Sequence, residues 1–433
     1  MLNPISLLLC LAIASPTFCV TAENWPAWRG PRGDGSSHEE NVPTNWDGAK
    51  GENIAWKVPI EGKGHSSPVV WEDRIYLATC LTDQEPPSRE LICLDRATGK
   101  KVWQRQVVEA PLETKHGLNS YASGTPATDG KQIFVTFLEV GDKTIEARNV
   151  SRPRPVTPGE IVVAAYDMTG KQQWIARPGG FVSVHGFCSS PVLFEDLVII
   201  NGDHDGDSYI SALKKATGET VWKVPREHKT RSYVTPIIRE IDGRMQMILS
   251  GDKCVASYDP RTGERHWVID GPTEQFVASM VYNGELLFMT CGFPERHMLA
   301  IDPTGEGNVT DTHIRWRTTK AAAYVPSPIS VGDYFLNVSD NGIASCFDAS
   351  TGKSFWVERI GPHFSASAIS AGGLAYFLAD EGKMTIIRPG EEFEVVTVNS
   401  LGEHCFASPA VSDGQIFVRG EKHLYCIGKA GAE

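Results

Sequence analysis

The chain of 433 residues lacks the motifs that identify most enzyme classes. It contains no H-x-H, H-E-x-x-H or C-x-x-C pairing for a metal, no phosphate-binding glycine loop, no dinucleotide fingerprint and no nucleophile motif. No run of lysine and arginine stands out, and the formal net charge is −12. This charge argues against nucleic acid or an anionic membrane as the main partner.

Long apolar runs are also missing beyond the N-terminus. Residues 5–20 are mostly apolar, are interrupted by Pro16, and lead into Val20-Thr21-Ala22, which resembles a signal-peptidase cleavage site. A membrane anchor is the alternative interpretation, but the run is short for a span. We therefore predict a signal peptide at residues 1–22 and an exported mature protein, periplasmic or extracellular, without a transmembrane segment.

Eight cysteines remain after that cleavage, an even number that would permit disulfides in an exported protein. Cys93, Cys346 and Cys426 occupy one position of the repeat described below, where other copies carry alanine or serine. Cysteine at such a position behaves as a small buried apolar side chain. We expect mostly free thiols in the core.

The strongest positive signal is a repeat of strand, tight turn and strand. It is first seen over residues 91–103 as L-I-C-L-D-R-A-T-G-K-K-V-W and recurs over 210–222, 255–267 and 343–356. A shorter copy ends at Trp174, a looser one at Trp316, and a degenerate one covers 383–396. Recurrence at a roughly fixed period indicates units that bury their faces only against their neighbours.

A second element, a strand that begins with small residues and usually proline, occurs eight times. From Pro191 to Pro236 the spacing is 45 residues, and from Pro236 to Met280 it is 44, the length of a four-stranded blade. The last unit stops after its third strand, and an orphan strand at Trp56 supplies the fourth. We predict an all-β, eight-bladed β-propeller of four-stranded antiparallel blades over residues 53–430, closed by the N-terminal strand and preceded by an arm at 23–52.

The pattern [small]-x-D-x-x-T-G-K/E-x-x-W resembles the tryptophan-docking repeat of the pyrroloquinoline-quinone-like (PQQ-like) propellers. That family includes the quinoprotein alcohol dehydrogenases and the shorter outer-membrane protein assembly factor. The resemblance implies that each tryptophan packs on the small residue and glycine of a neighbouring motif, so that these residues hold blades together. The docking tryptophans would be Trp103, Trp174, Trp222, Trp267, Trp316 and Trp356, with Gly99, Gly218, Gly263 and Gly352 beneath such rings.

The resemblance leaves the cofactor unassigned. Quinoprotein dehydrogenases are longer, carry a Glu/Asn/Asp calcium set around the quinone and often have adjacent cysteines, and neither feature can be matched here. We therefore do not expect PQQ. Calcium remains possible, because Asp203, Asp205 and Asp207 have suitable spacing, although a Gly/Asp turn is the alternative and the distal glutamate of a full calcium loop is missing.

Histidines and long loops concentrate on one predicted face. We label the four strands of each predicted blade A to D, starting from the innermost strand that carries the small residues and proline. The A–B and C–D turns are short, whereas the B–C and D–A loops include 81–90, 104–123, 139–160 and 177–187. In such scaffolds the binding or catalytic residues usually lie on the face that carries the long loops. The candidate ligand-binding residues at the channel mouth are His65, His116, Asn119, Tyr121, His185, Arg231, His363 and His404. The alternative is that these side chains merely face solvent at a polar mouth.

Two functions follow as hypotheses. The first is an exported, non-catalytic binding or scaffold module for a protein, peptide or carbohydrate partner in the cell envelope. The second is a quinone- or metal-dependent oxidoreductase of the quinoprotein type. The sequence favours the first, and leaves open whether the protein is an enzyme.

Overall fold

The computed structural model describes residues 22–429, so the predicted signal peptide lies outside the described residues except for Ala22. The described residues form strands and turns without an α-helix, and therefore contain no helix able to cross a membrane. Eight antiparallel sheets of four main strands surround a channel. The predicted all-β, eight-bladed propeller is confirmed.

Each blade is a meander of four strands, here called A to D from the channel outward. For blades 1 to 4 the strands are Val69–Trp71, Arg74–Leu81, Ser88–Asp95 and Lys101–Glu109; Ala127–Thr128, Gln132–Val140, Gly159–Asp167 and Gln172–Phe181; Val192–Phe194, Leu197–Gly202, Tyr209–Lys214 and Thr220–Pro225; and Ile237–Ile241, Arg244–Gly251, Cys254–Tyr258 and Arg265–Asp270.

For blades 5 to 8 the strands are Val281–Tyr282, Leu287–Cys291, His297–Ile301 and Ile314–Thr318; Ile329–Val331, Tyr334–Val338, Ile343–Asp348 and Ser354–Arg359; Ile369–Ala371, Leu374–Leu378, Lys383–Arg388 and Glu394–Ser400; and Ala410–Ser412, Gln415–Arg419, His423–Ile427 and Ile54–Pro59. Gly307–Asn308 adds a parallel strand outside blade 4, and Ile145–Glu146 pairs with Pro155–Val156 in the B–C loop of blade 2.

Burial follows the position of a strand in its blade. The B strand Leu197–Gly202 is buried at every residue, because blades pack on both of its faces. The D strand Thr220–Pro225 instead exposes most of its residues and buries Trp222. In the sequence, a continuous apolar run therefore indicates an inner strand of a blade, and a single tryptophan among polar residues indicates the outermost strand.

The N-terminal strand closes the ring. Ile54–Pro59 pairs antiparallel with His423–Ile427, and Trp56 lies opposite Cys426. The A strands of blades 1 and 8 also contact each other. The predicted closure is confirmed, and it removes the sheet edge that a three-stranded last blade would leave.

The tryptophans of the D strands reach from one blade to the next. Trp103 lies over Gly170, where a Cβ atom would come within 2.8 Å of the ring, and the positive φ of 82° at this glycine also disfavours other residues. Trp174 donates its indole N–H to the Lys215 carbonyl at 2.7 Å. Equivalent glycine or carbonyl contacts are made by Trp56, Trp222, Trp267, Trp316 and Trp356.

The eight cysteines of the described residues are unpaired, in agreement with the expectation of free thiols. Seven are buried, and Cys188 is half-buried. Burial raises the pKa of the Cys93 and Cys346 thiols to about 12. These side chains therefore serve as small apolar residues between blades.

Candidate functional site

A belt of hydroxyl groups surrounds the channel where the A strands begin. Its members occupy one position in each blade: Ser67, Thr125, Ser190, Thr235, Ser279, Ser327, Ser367 and Ser408. At six of the eight junctions, the backbone N–H of one member donates to the hydroxyl oxygen of the next at 2.9–3.0 Å. We call this set the hydroxyl belt. It satisfies backbone donors that no sheet ladder reaches, which explains the small polar residue before proline in the repeat.

The N-terminal arm, residues 23–52, covers the end of the channel that carries the A–B turns. Trp25 exchanges backbone hydrogen bonds with Val70 of blade 1, and Ser37 donates to the Ser370 carbonyl of blade 7. The Glu39 carboxylate accepts the backbone N–H groups of Asp413 and Gly414 in blade 8, both at 2.6 Å. The arm therefore ties several blades together at this end.

The central pocket is a cavity of about 390 Å³ in the channel. Trp28 of the arm is among its lining residues, together with several members of the hydroxyl belt. Its other lining residues include His65, His116, Asn119, His185, Tyr233, Tyr324 and Phe406. Because the arm closes one end, the pocket opens among the D–A loops on the opposite face.

Three histidines of the pocket are held by aromatic contacts. The ring of His65 stacks on Phe406 with centroids 4.8 Å apart, and His116 meets His185 edge-on at 5.5 Å. Burial, followed by the charges of Arg419 and Lys115, lowers the pKa of His65 to about 4. Burial and nearby charges, Arg231 foremost, lower the pKa of His185 to about 3. Both rings are neutral at pH 7 and can donate or accept a hydrogen bond.

The structure brings four of the eight predicted mouth residues to the pocket: His65, His116, Asn119 and His185. The other four lie around it. Arg231 is buried in an ion pair with Asp205 at 2.8 Å. His363 bonds the carboxylate of Asp380 at 2.6 Å, and His404 meets the carbonyl of the same aspartate at 3.0 Å. Tyr121 lies beneath the ammonium group of Lys115.

The three aspartates proposed for calcium do not converge. Asp203 is buried against Arg226 at 2.8 Å, and Asp207 is exposed and pairs with Lys229 at 2.6 Å. Since Asp205 is held by Arg231, each carboxylate already has its own cation. Within residues 22–429 no group of three His, Cys, Asp or Glu side chains is placed to hold a metal ion. The three carboxylates are therefore not arranged around one point, because their spacing gave no information about the cations packed against them.

Sequence reasoning missed a recurring aspartate in the B–C turns. Asp340 accepts the backbone N–H groups of Tyr324 and Val325 at 2.9 Å, and it also lies 3.5 Å from Arg296. Asp380 and Asp252 accept N–H groups of the D–A loops in the same way. These carboxylates fix the loops that carry the pocket residues. Their signal was visible as an aspartate one or two residues after the end of a B strand in blades 4, 6 and 7.

The pocket does not fit the quinone cofactor of the dehydrogenases. A calcium-held quinone requires carboxylate and amide oxygens that converge on one cation. Asp340 is the one carboxylate among the pocket-lining residues described, and it is already bound by two N–H groups and Arg296. The Oδ1 atom of Asn119 accepts from Ser120 and Ser123. The donor set is therefore incomplete for that cofactor.

Comparison with known proteins identifies the family. A family model described as outer membrane protein assembly factor BamB matches residues 38–149 and 155–358, more than half of the chain. The chain belongs to this family of PQQ-like propellers. The assembly factor BamB of Burkholderia pseudomallei is 33% identical to it over 114 residues, which cover 26% of this chain and 29% of that protein. The match thus spans less than a third of that BamB.

Solved structures share the fold of this BamB-family chain at low sequence identity. BamB from Moraxella catarrhalis has a TM-score of 0.59 at 12% identity, covering 86% of this chain and 99% of that one. The quinohemoprotein alcohol dehydrogenase of Comamonas testosteroni has a TM-score of 0.63 at 12% identity, covering 95% and 81%. A europium-containing methanol dehydrogenase has a TM-score of 0.51 at 13% identity, covering 93% and 90%. These similarities establish the fold alone.

Proposed function

We propose that this chain is an exported binding module that holds a protein partner of the cell envelope through the loops around its central pocket. The observation that carries the proposal is the difference between the two ends of the channel. The arm covers the A–B end, whereas the other end opens into the pocket. A partner therefore finds a recess and long loops on one face only.

The rim of the pocket has the character of a protein interface. Leu118 and Phe293 are 45% and 50% exposed, and both lie in loops of the open face. Leu118 lines the pocket together with the neutral rings of His65 and His185. Apolar and aromatic side chains around a recess, with few free charges at the centre, are typical of the core of a protein interface.

The family supplies the class of partner. The relatives are named outer membrane protein assembly factors, which suggests a partner among the proteins that assemble the outer membrane. Such a role places the mature protein in the periplasm. It also agrees with a pocket that lacks the carboxylate set of a quinoprotein dehydrogenase, the second function suggested by the sequence.

Site-specific photo-crosslinking in the native host tests the proposal. A photoreactive amino acid at Leu118 or at Phe293 should yield adducts with one and the same envelope protein. The controls carry it at Asp73 and Glu306, whose side chains are 72% and 87% exposed in turns of the opposite face. Adducts of that protein from the control positions alone would contradict the proposal. A quinone absorbance spectrum or stoichiometric metal in the purified protein would instead support the oxidoreductase.

A further inference from the structure

An arginine-bearing hairpin stands beside the central pocket. Its strands are Ile145–Glu146 and Pro155–Val156, and Ala147 donates its N–H to the Arg154 carbonyl at 2.9 Å. Ala147 and Val156 bury their side chains against Val184 of the D–A loop that carries His185. The hairpin therefore has a small core of its own and is not a loose loop.

Hydrogen bonds fix the hairpin both at its base and at its tip. Thr157 and Thr114 exchange backbone-to-hydroxyl hydrogen bonds of 2.8 and 3.1 Å, and Thr114 lies two residues before His116. At the other end, Arg231 donates to the Asn149 carbonyl at 3.1 Å, and the Asn149 side chain donates to Asp205 at 2.9 Å. These bonds tie the hairpin to the loop that presents His116 and to the loops of Asp205 and Arg231, and its packing on Val184 ties it to the loop that presents His185.

The hairpin concentrates positive charge on an acidic protein. Residues 147–158 contain three arginines, Arg148, Arg152 and Arg154, and no acidic residue, although the net charge of the chain is −12. All three are exposed, and none forms an ion pair within residues 22–429. Asp207 lines a recess with Arg148 but is paired with Lys229, and Glu146 is the one carboxylate on the paired strands. The charge is therefore available to an outside partner.

Backbone restriction favours binding by these arginines. Arg152 and Arg154 each precede a proline, which excludes most helical conformations for them. A guanidinium group on a restricted backbone loses less conformational freedom when it pairs with a carboxylate, and it can bind that carboxylate with two parallel hydrogen bonds.

We propose that the arginine hairpin, residues 145–156, and the central pocket together bind an acidic polypeptide segment of the partner. The arginines pair with carboxylates of the segment, and one large apolar or aromatic side chain enters the pocket beside His65, Phe406 and Trp28. The inference rests on the proposed function and names the chemistry of its partner. An anionic membrane surface is disfavoured, because a net charge of −12 repels it at longer range.

The test measures binding of labelled peptides to the full mature protein. The probe is Glu-Glu-Glu-Trp-Glu-Glu-Glu, compared with a peptide in which lysine replaces glutamate and one in which serine replaces tryptophan. The variant R148Q/R152Q/R154Q should bind the probe about tenfold more weakly, as expected for the loss of three exposed ion pairs. The matched control R265Q/R315Q/R388Q removes the same charge from the C and D strands of blades 4, 5 and 7 and should bind as the unmodified protein does.

The outcomes separate the alternatives. Equal binding of the glutamate and lysine peptides, or equal losses in the two triple variants, would overturn the role of the hairpin. Equal binding of the tryptophan and serine peptides would overturn the role of the pocket. Capture by vesicles of phosphatidylglycerol and phosphatidylcholine, without peptide binding, would assign the arginines to a membrane. Should R148Q/R152Q/R154Q fail to fold, R152Q/R154Q applies the same test.

Failure of this inference can be distinguished from failure of the proposed function. The Leu118 crosslink is repeated in R148Q/R152Q/R154Q. If the adduct forms unchanged, the partner binds at the mouth without the arginines, and only the acidic-segment inference is overturned. If no adduct forms from the mouth even with the arginines intact, the proposed function itself fails.

Discussion

The hydroxyl belt can be tested with two serine-to-alanine changes in one blade. Ser327 accepts the backbone N–H of Ser279 at 3.0 Å, and both residues are at most 2% exposed. Ser327→Ala removes this acceptor and leaves the N–H of Ser327 free to donate to Ser367 as before. The change therefore leaves one buried donor without a partner, which costs about 1–3 kcal/mol of the free energy of unfolding.

The matched control is Ser345→Ala in the C strand of the same blade. Ser345 is fully buried, and its hydroxyl has no hydrogen-bond partner among the described residues. Its removal leaves no donor or acceptor newly unsatisfied. We expect no loss of stability or a small gain, because an unpartnered buried hydroxyl is itself unfavourable.

Urea unfolding followed by tryptophan fluorescence measures the difference between the two variants. Hydrogen exchange adds a local measurement, since the Ser279 amide should exchange faster in Ser327→Ala and not in Ser345→Ala. Equal shifts of the urea midpoint in both variants would refute the reasoning. So would an unchanged exchange rate at Ser279 in Ser327→Ala.

Three further predictions follow from the fold. Trp267→Ala should lower the free energy of unfolding by about 3–5 kcal/mol in a urea titration, because its side chain is fully buried between blades. The control Val102→Ala, at an exposed site, should change this free energy little. The pKa of His65 is about 4 in the folded protein, below its usual 6.5, so the unfolded chain binds the proton first as the pH drops. The melting temperature should therefore fall as the pH is lowered from 6.5 to 4, and it should fall less steeply in His65→Gln. A chain that begins at residue 61 lacks Ile54–Pro59 and exposes His423–Ile427 as a sheet edge. The midpoint of its thermal unfolding should drop, and sedimentation should show self-association. A truncated chain that melts like the full mature protein would contradict the closure.

The fold could be predicted because the repeat encodes each blade separately. A T-G turn followed by a tryptophan fixes the C and D strands, and a small residue before proline fixes the A strand, so blade number followed from counting. The histidines of D–A loops could be located for a related reason. A loop that enters an innermost strand must end at the channel, and the structure has His65, His116 and His185 among the residues that line the pocket.

Side-chain direction and long-range partners could not be predicted in the same way. His363 lies in an equivalent loop, but the single carboxylate of Asp380 holds it outside the pocket. The spacing of Asp203 in the sequence favoured calcium, but Arg226 from a different loop forms an ion pair with it. Trp28 lies in an arm outside the repeat, so no period indicated that it would line the channel.

The arm and the closing strand make completion of the pocket depend on synthesis of the last blade. Glu39 binds the backbone of Gly414, 375 positions later, and Ile54–Pro59 finds its partner in the last strand of the described residues. Until residues near 427 have been synthesised, neither contact can form, and Trp28 has no complete ring to enter. Such distant contacts form late in folding. Chains that lack the last blade therefore lack a closed pocket, and the proposed partner binding would require a closed ring.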